Sequence, residues 1–394
     1  MRIAHVVPSL ALRTGGTAES VVQAALALED QGAETTIFAT DGAGPANAPY
    51  RPVDPSELPR GSDRLDIRLF PVRPPSRFAF APGLYRALGQ DLLSFDVVHV
   101  HSLFLFPQLA AYLQAHRQGR PYVVAPCGAL DPYLRARGHL RKAFVDAVWQ
   151  RRMLQGAAAL HFKTEEEARL VSDLALRPPA IVAPNGIRWS DFQTLPPPDA
   201  FRSRLGAGSA PIVLAYGRIS HKKGLDRLID AFALVRQDLK DVRLVIAGPD
   251  DEGLVPVLRA RAQDANVEAD VFFPGMLEGR ERLEALAAAD VYALASRTEN
   301  FGLAVVEALA AGVAGVISPA VNLAAEIESA GAAIVCPPEP VRLADALREL
   351  LTEPERRAGL GRRAREFTRR YDWAVAIPHW LTMYERAVDA GVRA

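Results

Sequence analysis

Cysteine is scarce: Cys127 and Cys336 are the only two in 394 residues. Two thiols so far apart exclude a disulfide scaffold and fit a reducing compartment. An excess of one charge sign is also lacking. Lys plus Arg and Asp plus Glu both number 46, so net charge gives no case for nucleic acid as the main partner. No apolar stretch reaches the roughly 18–20 residues that a membrane span needs. The first apolar run is cut by Pro8 and is too short for a signal segment. These absences describe a cytoplasmic protein that does not span a bilayer. The chain also has no repeat of solenoid length, no G-x-G-x-x-G for a dinucleotide cofactor, and no D-x-D pair to clamp a diphosphate-bound divalent ion. With 49% hydrophobic and 23% charged residues, it has the balance of an ordinary globular protein long enough for two domains.

Short apolar runs alternate with amphipathic stretches. Residues 3–7, 34–38, 97–100, 122–125 and 158–162 read as buried strands, with helices over 16–28, 83–93 and 144–154. The pattern then restarts, with strands over 212–216, 243–247, 271–273, 291–294, 315–317 and 333–335. Helices over 225–235, 280–288, 303–310 and 341–351 fall among them. Such alternation means parallel sheets with helices on both faces. The fold class is α/β, with two doubly wound, Rossmann-like halves. Pro178-Pro179, Pro184-Asn185-Gly186 and Pro196-Pro197-Pro198 punctuate 178–211 as a linker. The expected division is 1–190 and 191–370, with 371–394 a last amphipathic helix that crosses back to the first domain. Residues 42–61, rich in Pro, Gly and Ala, read as a long loop.

Ligands of open parallel sheets sit at the carboxyl ends of the strands, so the residues after each strand carry the chemistry. Gly217-Arg218-Ile219-Ser220-His221-Lys222-Lys223-Gly224 places one Arg and two Lys before a helix, where the helix start also attracts anions. Read alone, it is either a phosphate cradle or a solvated basic turn. Glu299-Asn300-Phe301-Gly302-Leu303 leads into a helix whose first backbone N–H groups suit a phosphate or a sugar edge. Glu307 lies about a turn and a half into that helix, among the apolar Val305, Val306, Ala308 and Leu309. Carboxylates at 299 and 307 make poor phosphate ligands and good acceptors for vicinal hydroxyls. Thr14-Gly15-Gly16-Thr17 is a weak Gly-rich turn. His99-Val100-His101 puts two imidazoles on one strand face, as structural histidines or, for His101 nearer the strand end, as a ligand-facing one.

Gly217-Arg218…Lys223-Gly224, Glu299-x7-Glu307, Ala247-Gly248-Pro249, Gly275 and Ala289-Asp290-Val291 together resemble the family-4 (GT4) retaining glycosyltransferases. The resemblance covers essentially the whole chain and is strongest over 212–313. It implies the GT-B fold, two doubly wound domains facing across a cleft. It implies that Arg218 and Lys223 neutralise the donor diphosphate, and that Glu299 with the backbone of Phe301, Gly302 and Leu303, beside Asn300, holds the donor sugar. Glu307 would hold the ribose hydroxyls. Gly15 and Gly16 would pack against the donor phosphate, and His101 would contact the reacting region. The chain departs from many relatives at Cys127, where they carry His or Arg.

The expected activity is retaining transfer of a hexose-type sugar from a nucleotide-diphosphate-sugar, UDP- or GDP-linked, to a hydroxyl of a glycan, lipid-linked or small-molecule acceptor. Bacterial surface polysaccharide assembly is the expected setting. The catalytic set is Arg218, Lys223, His101 and Glu299. No cofactor and no metal are required, since Arg218, Lys223 and a helix dipole can do a divalent ion's electrostatic work. A sugar-nucleotide epimerase on the same fold, or a non-catalytic nucleotide-sugar-binding partner subunit, are the alternatives. Residues 135–152 carry Arg135, Arg137, Arg141, Lys142, Arg151 and Arg152 with Phe144, Val148 and Trp149 among them, a pattern that suits either a solvated helix or peripheral contact with an anionic membrane.

Overall fold

The computed structural model describes residues 1–43 and 50–392. Within them the chain forms two units, Met1–Gly186 with Trp373–Ala394, and Ile187–Asp372. Each is a doubly wound, Rossmann-like unit: a parallel sheet with helices on both faces.

The first unit holds seven strands: β1 (Arg2–Ser9), β2 (Glu34–Thr40), β3 (Asp66–Phe70), β4 (Val97–His101), β5 (Tyr122–Ala125), β6 (Ala159–Phe162) and β7 (Ala180–Val182). Their order is β3-β2-β1-β4-β5-β6-β7, every pair parallel. The second unit repeats the design with β8 (Ile212–Tyr216), β9 (Arg243–Ala247), β10 (Val271–Gly275), β11 (Val291–Leu294), β12 (Ala314–Ile317) and β13 (Ala333–Val335), in the order β10-β9-β8-β11-β12-β13. In both sheets the winding reverses next to the first strand, between β1 and β4 and between β8 and β11. Loops diverge at such a reversal and leave a crevice there.

The central strands are Val-, Ile- and Leu-rich because helices cover both their faces. The two strands that the apolar runs do not reveal, β3 and β7, are the outer strands of the first sheet. Only one side of each is paired, both are at most half-buried, and β3 carries Asp66 and Arg68. The segment 178–211, expected as a linker, contains β7 and a helix over Asp199–Arg204. The helix expected from 144 begins at His139 and continues to Gln155 through a wide turn at Asp146–Gln150. Of the expected loop 42–61, residues 44–49 lie outside the described residues.

The chain passes into the second unit at Gly186–Ile187 and out of it at Asp372–Trp373. The last helix, Trp373–Val392, then packs on the first unit. Its stripe of Trp373, Ala376, Ile377, Trp380, Met383, Tyr384 and Ala387, at helical spacing, buries against Ile3, Ala24, Leu28, Val97 and Val123. The Trp380 indole is fully buried and donates to the Pro184 carbonyl at 2.8 Å. Trp380→Ala loses that packing and leaves a cavity, and is expected to destabilise the first unit by about 3–5 kcal/mol; chemical denaturation followed by circular dichroism checks this.

Candidate functional site

In the second unit, the loop after β8 is tied to its surroundings by backbone as well as side chains. Gly217 N donates to Ala247 O and Ile219 N to Pro249 O, each at 2.9 Å, which fastens it to the turn after β9. Gly224 ends the loop at φ +63°, and a Cβ there would lie 2.1 Å from Ala295 O. Only glycine lets the loop press so closely on the end of β11. Arg297 completes the tie: its Nη1 donates to His221 O at 2.6 Å and its Nη2 to Asp226 at 2.8 Å, while its backbone N donates to Lys222 O at 2.7 Å.

This clamping brings the two loops' charged groups together. Lys223 and Glu299, nearly buried at 10% and 12% side-chain exposure, form an ion pair. Glu299 is itself held by backbone: its N donates to Ala320 O and its O accepts from Asn322 N. Burial pushes the Glu299 carboxyl up, but the charges of Lys222, Lys223 and Arg218 outweigh it and hold the group down at about 2. Arg218, half-buried, makes no ion pair or side-chain hydrogen bond among the described residues. One carboxylate therefore sits beside three cationic side chains.

Next to them starts the helix Leu303–Ala310. Gly302 opens it in the left-handed conformation, φ 74°, a position that other residues adopt rarely. No side chain caps this end and no acidic residue stands in its first turn, so its N–H groups and dipole favour an anion. Phe301 is buried edge-on against Tyr371, with centroids 5.3 Å apart, which anchors the loop that carries Glu299 and Asn300. Asn322 donates to Asn300 at 3.4 Å. Glu307 is buried, and its Oε1 accepts from Arg282 Nη1 at 2.8 Å. The buried Tyr292 phenol is raised well above its ordinary value by burial first, then by the charges of Glu299, Tyr216 and Glu307.

The structure thus gathers Lys223, Glu299, Asn300, Phe301, Gly302, Leu303 and Glu307 of the expected set, with Arg218 close enough for its charge to act on Glu299. Gly15, Gly16 and His101 belong to the first unit. Gly15, at φ 112°, precedes the helix Gly16–Asp30 that follows β1. His101 ends β4 and is buried, its Nε2 3.0 Å from His5 Nδ1. Burial pushes its imidazole well below the usual range, assisted by His5 and Lys163. Two residues outside the expected set stand in the site: Lys222 and Arg282. Lys222 was visible beside Lys223; nothing local marked Arg282, which reaches Glu307 from 25 positions away.

Two family models match the chain: "Glycosyl transferases group 1" over residues 199–367 and "Glycosyl transferase 4-like domain" over 15–186. The chain is 29% identical to a D-inositol 3-phosphate glycosyltransferase of Xylanimonas cellulosilytica, over 95% of this chain and 92% of the relative. It is also 29% identical to the Mycolicibacterium smegmatis protein of the same name, over 95% and 87%. Among solved structures, sucrose-phosphate synthase from Thermosynechococcus elongatus superposes with TM-score 0.80 at 19% identity, over 99% of this chain and 100% of that one. Anabaena HepE in complex with UDP and glucose superposes with TM-score 0.79 at 19% identity, over 98% and 99%.

The Glu299 carboxyl at about 2 lies below its ordinary 4.5, so the pair's contribution to stability is fully present above pH 4.5 and is lost as pH falls towards 2. Glu299→Gln is expected to flatten the stability–pH curve within that window, as read by denaturation at a series of pH values.

Proposed function

Because the chain belongs to the group 1 glycosyl transferases and is a sugar-transferring enzyme, we propose that its second unit takes a UDP-hexose as donor through the Arg218–Lys223–Glu299 site, and that transfer retains the anomeric configuration. The observation that carries this reading is the ion-paired, nearly buried Lys223 beside the uncapped helix start at Gly302. A diphosphate placed there meets the Lys223 ammonium, the Arg218 guanidinium and the helix N–H groups. All three act on the charge that grows on the departing nucleotide diphosphate, which is where preorganised electrostatics contribute most to rate. Arg218 offers a fork of donors for two phosphate oxygens, and Lys223 a compact charge. Glu299 has two tasks: it fixes the Lys223 ammonium and turns a carboxylate oxygen towards the sugar hydroxyls. Glu307, oriented by Arg282, accepts from the ribose hydroxyls. The acceptor hydroxyl attacks on the face the leaving group vacates and gives its proton to the departing phosphate oxygen. No protein nucleophile is assigned, and His101 carries no step in this reading.

UDP as the donor's nucleotide is supported by the complexes of Anabaena HepE, which hold UDP and UDP-glucose. The acceptor, assigned to the first unit, is a hydroxyl-bearing small molecule. The names of the curated relatives favour a phosphorylated polyol over the surface polysaccharide expected from sequence. Lys223→Ala is expected to lower kcat about 10²–10³-fold, since a lost contact to developing charge costs about 2.7–4 kcal/mol. Steady-state transfer at saturating UDP-glucose measures it, and an unchanged kcat would remove Lys223 from the mechanism.

We further infer peripheral contact with an anionic bilayer through the helix that begins at His139. No helix among the described residues is long and apolar enough to cross a membrane. Leu140, Phe144 and Val148, four residues apart and hence on one face, are 77%, 69% and 50% exposed. Arg141 and Arg152 are exposed on the same helical run, the pairing of apolar and basic groups that suits a charged lipid surface. Arg135 adds less, since it is already paired with Asp173 at 2.9 Å. The protein is expected to sediment with phosphatidylglycerol-containing vesicles and not with pure phosphatidylcholine. The double change Leu140→Ser, Phe144→Ser should release it; equal sedimentation of parent and variant would refute the contact.

A further inference from the structure

The first unit has a polar interior where its sheet reverses. His5 on β1 pairs in register with His99 on β4, and alternation puts His101 on the same face. All three rings are at most 1% exposed. One ring nitrogen from each lies within 4.8 Å of the other two. His5 Nδ1 faces His101 Nε2 at 3.0 Å, and His161 Nδ1 faces His99 Nε2 at 3.2 Å.

Proton accounting separates these groups. The Ala183 carbonyl can only accept, so His161 Nε2, 2.7 Å from it, carries a proton. His161 Nδ1 is then a lone pair that takes a proton from His99 Nε2, and His99 Nδ1 accepts from the Tyr384 hydroxyl at 2.7 Å. This run closes. The other does not: His5 and His101 share one proton between facing atoms, and His5 Nε2 is buried with no hydrogen-bond partner among the described residues. A polar atom left so in a core is costly. A metal ion bound between the facing His5 Nδ1 and His101 Nε2 takes both of their lone pairs in place of the one shared proton.

We propose that His5, His99 and His101 form a buried site for one divalent late transition metal of the zinc type, which ties β1 to β4. The donor set is three imidazoles with no carboxylate among them, which selects zinc, cobalt, nickel or copper over magnesium or calcium. Three protein nitrogens leave a fourth position of a tetrahedral site, and His161 Nδ1 lies beside them, 3.2 Å from His99 Nε2. Ligation through His99 Nε2 takes the tautomer with the proton on Nδ1, which then donates to the Tyr384 oxygen, the outer hydrogen bond that orients metal-bound imidazoles. One charge opposes the ion. Lys163 Nζ lies 3.1 Å from His161 Nε2, 3.2 Å from His161 Nδ1 and 4.0 Å from the Trp380 ring centre, and its charge reaches all three ligands. All of these residues belong to the first unit, and the test reads metal uptake rather than sugar transfer.

The test is uptake of Co²⁺ by untagged, metal-stripped full-length protein, both added to native protein and present during refolding, with bound metal counted by mass spectrometry and the ligand-field absorption of four-coordinate cobalt as the signature. One equivalent is expected. His5→Asn should abolish the absorption, Tyr384→Phe should weaken binding about ten- to hundredfold, and Lys163→Met should tighten it. No uptake by the parent protein in either arm, or uptake unchanged in His5→Asn, would leave only a hydrogen-bonded core and overturn the proposal. Should His5→Asn fail to fold, the parent's stoichiometry and the opposite shifts in the other two variants decide.

Discussion

The Lys223–Glu299 ion pair is the contact on which the second unit's site turns. It joins the loop after β8 to the loop after β11, the two strands between which the sheet reverses direction. A nearly buried pair of this kind is a weak source of net stability, because desolvation of both charges offsets most of their attraction. Its value is geometric. With Gly224 against Ala295 O and Arg297 holding both His221 and Asp226, the pair leaves the loops little freedom to separate. Breaking it would strand a charge in a low-dielectric setting, so the arrangement is all-or-none. A site that must meet a diphosphate in one pose benefits from such stiffness more than from affinity alone.

The same winding has been filled differently in the first unit. The equivalent reversal between β1 and β4 is occupied by imidazoles and closed by an aromatic helix, not by paired charges. Burial holds His5 down at about 3, with Lys163 adding to it, and pushes Lys163 itself down to about 8. The interior is therefore polar yet without charge on its imidazoles at neutral pH. One architecture thus carries paired charges in one half and, in the other, neutral imidazoles beside a single ammonium, that of Lys163.

How far the sequence disclosed this depends on distance along the chain. The central strands were legible because their apolar runs are continuous, and the donor loops because each follows its strand directly with glycines at both turns. β3 was not, since an outer strand can keep charged residues, here Asp66 and Arg68; nor was β7, whose apolar run Ala180-Ile181-Val182 is only three residues long and lies among prolines. Glu307 could be singled out from its apolar neighbours, whereas Arg282 could not, as only folding brings its helix alongside. His99 and His101 stood out by alternation, but His5 became their partner only through the reversal that sets β1 beside β4. Residue type and spacing reveal what one segment does; topology decides which segments meet.

The return of residues 373–392 to the first unit has a consequence for how the molecule is made. Chains emerge from the ribosome amino end first, and domains fold largely as units during synthesis. Here the half begun first is finished last: its sheet can form early, but the Trp380–Tyr384 wall of its core arrives only after the whole second half has been translated. Until then a nascent chain carries an open apolar face over Ile3, Val97 and Val123, a natural holding place for a chaperone, and a ribosome that stops before Trp373 releases a product whose later half is complete and whose earlier half is not.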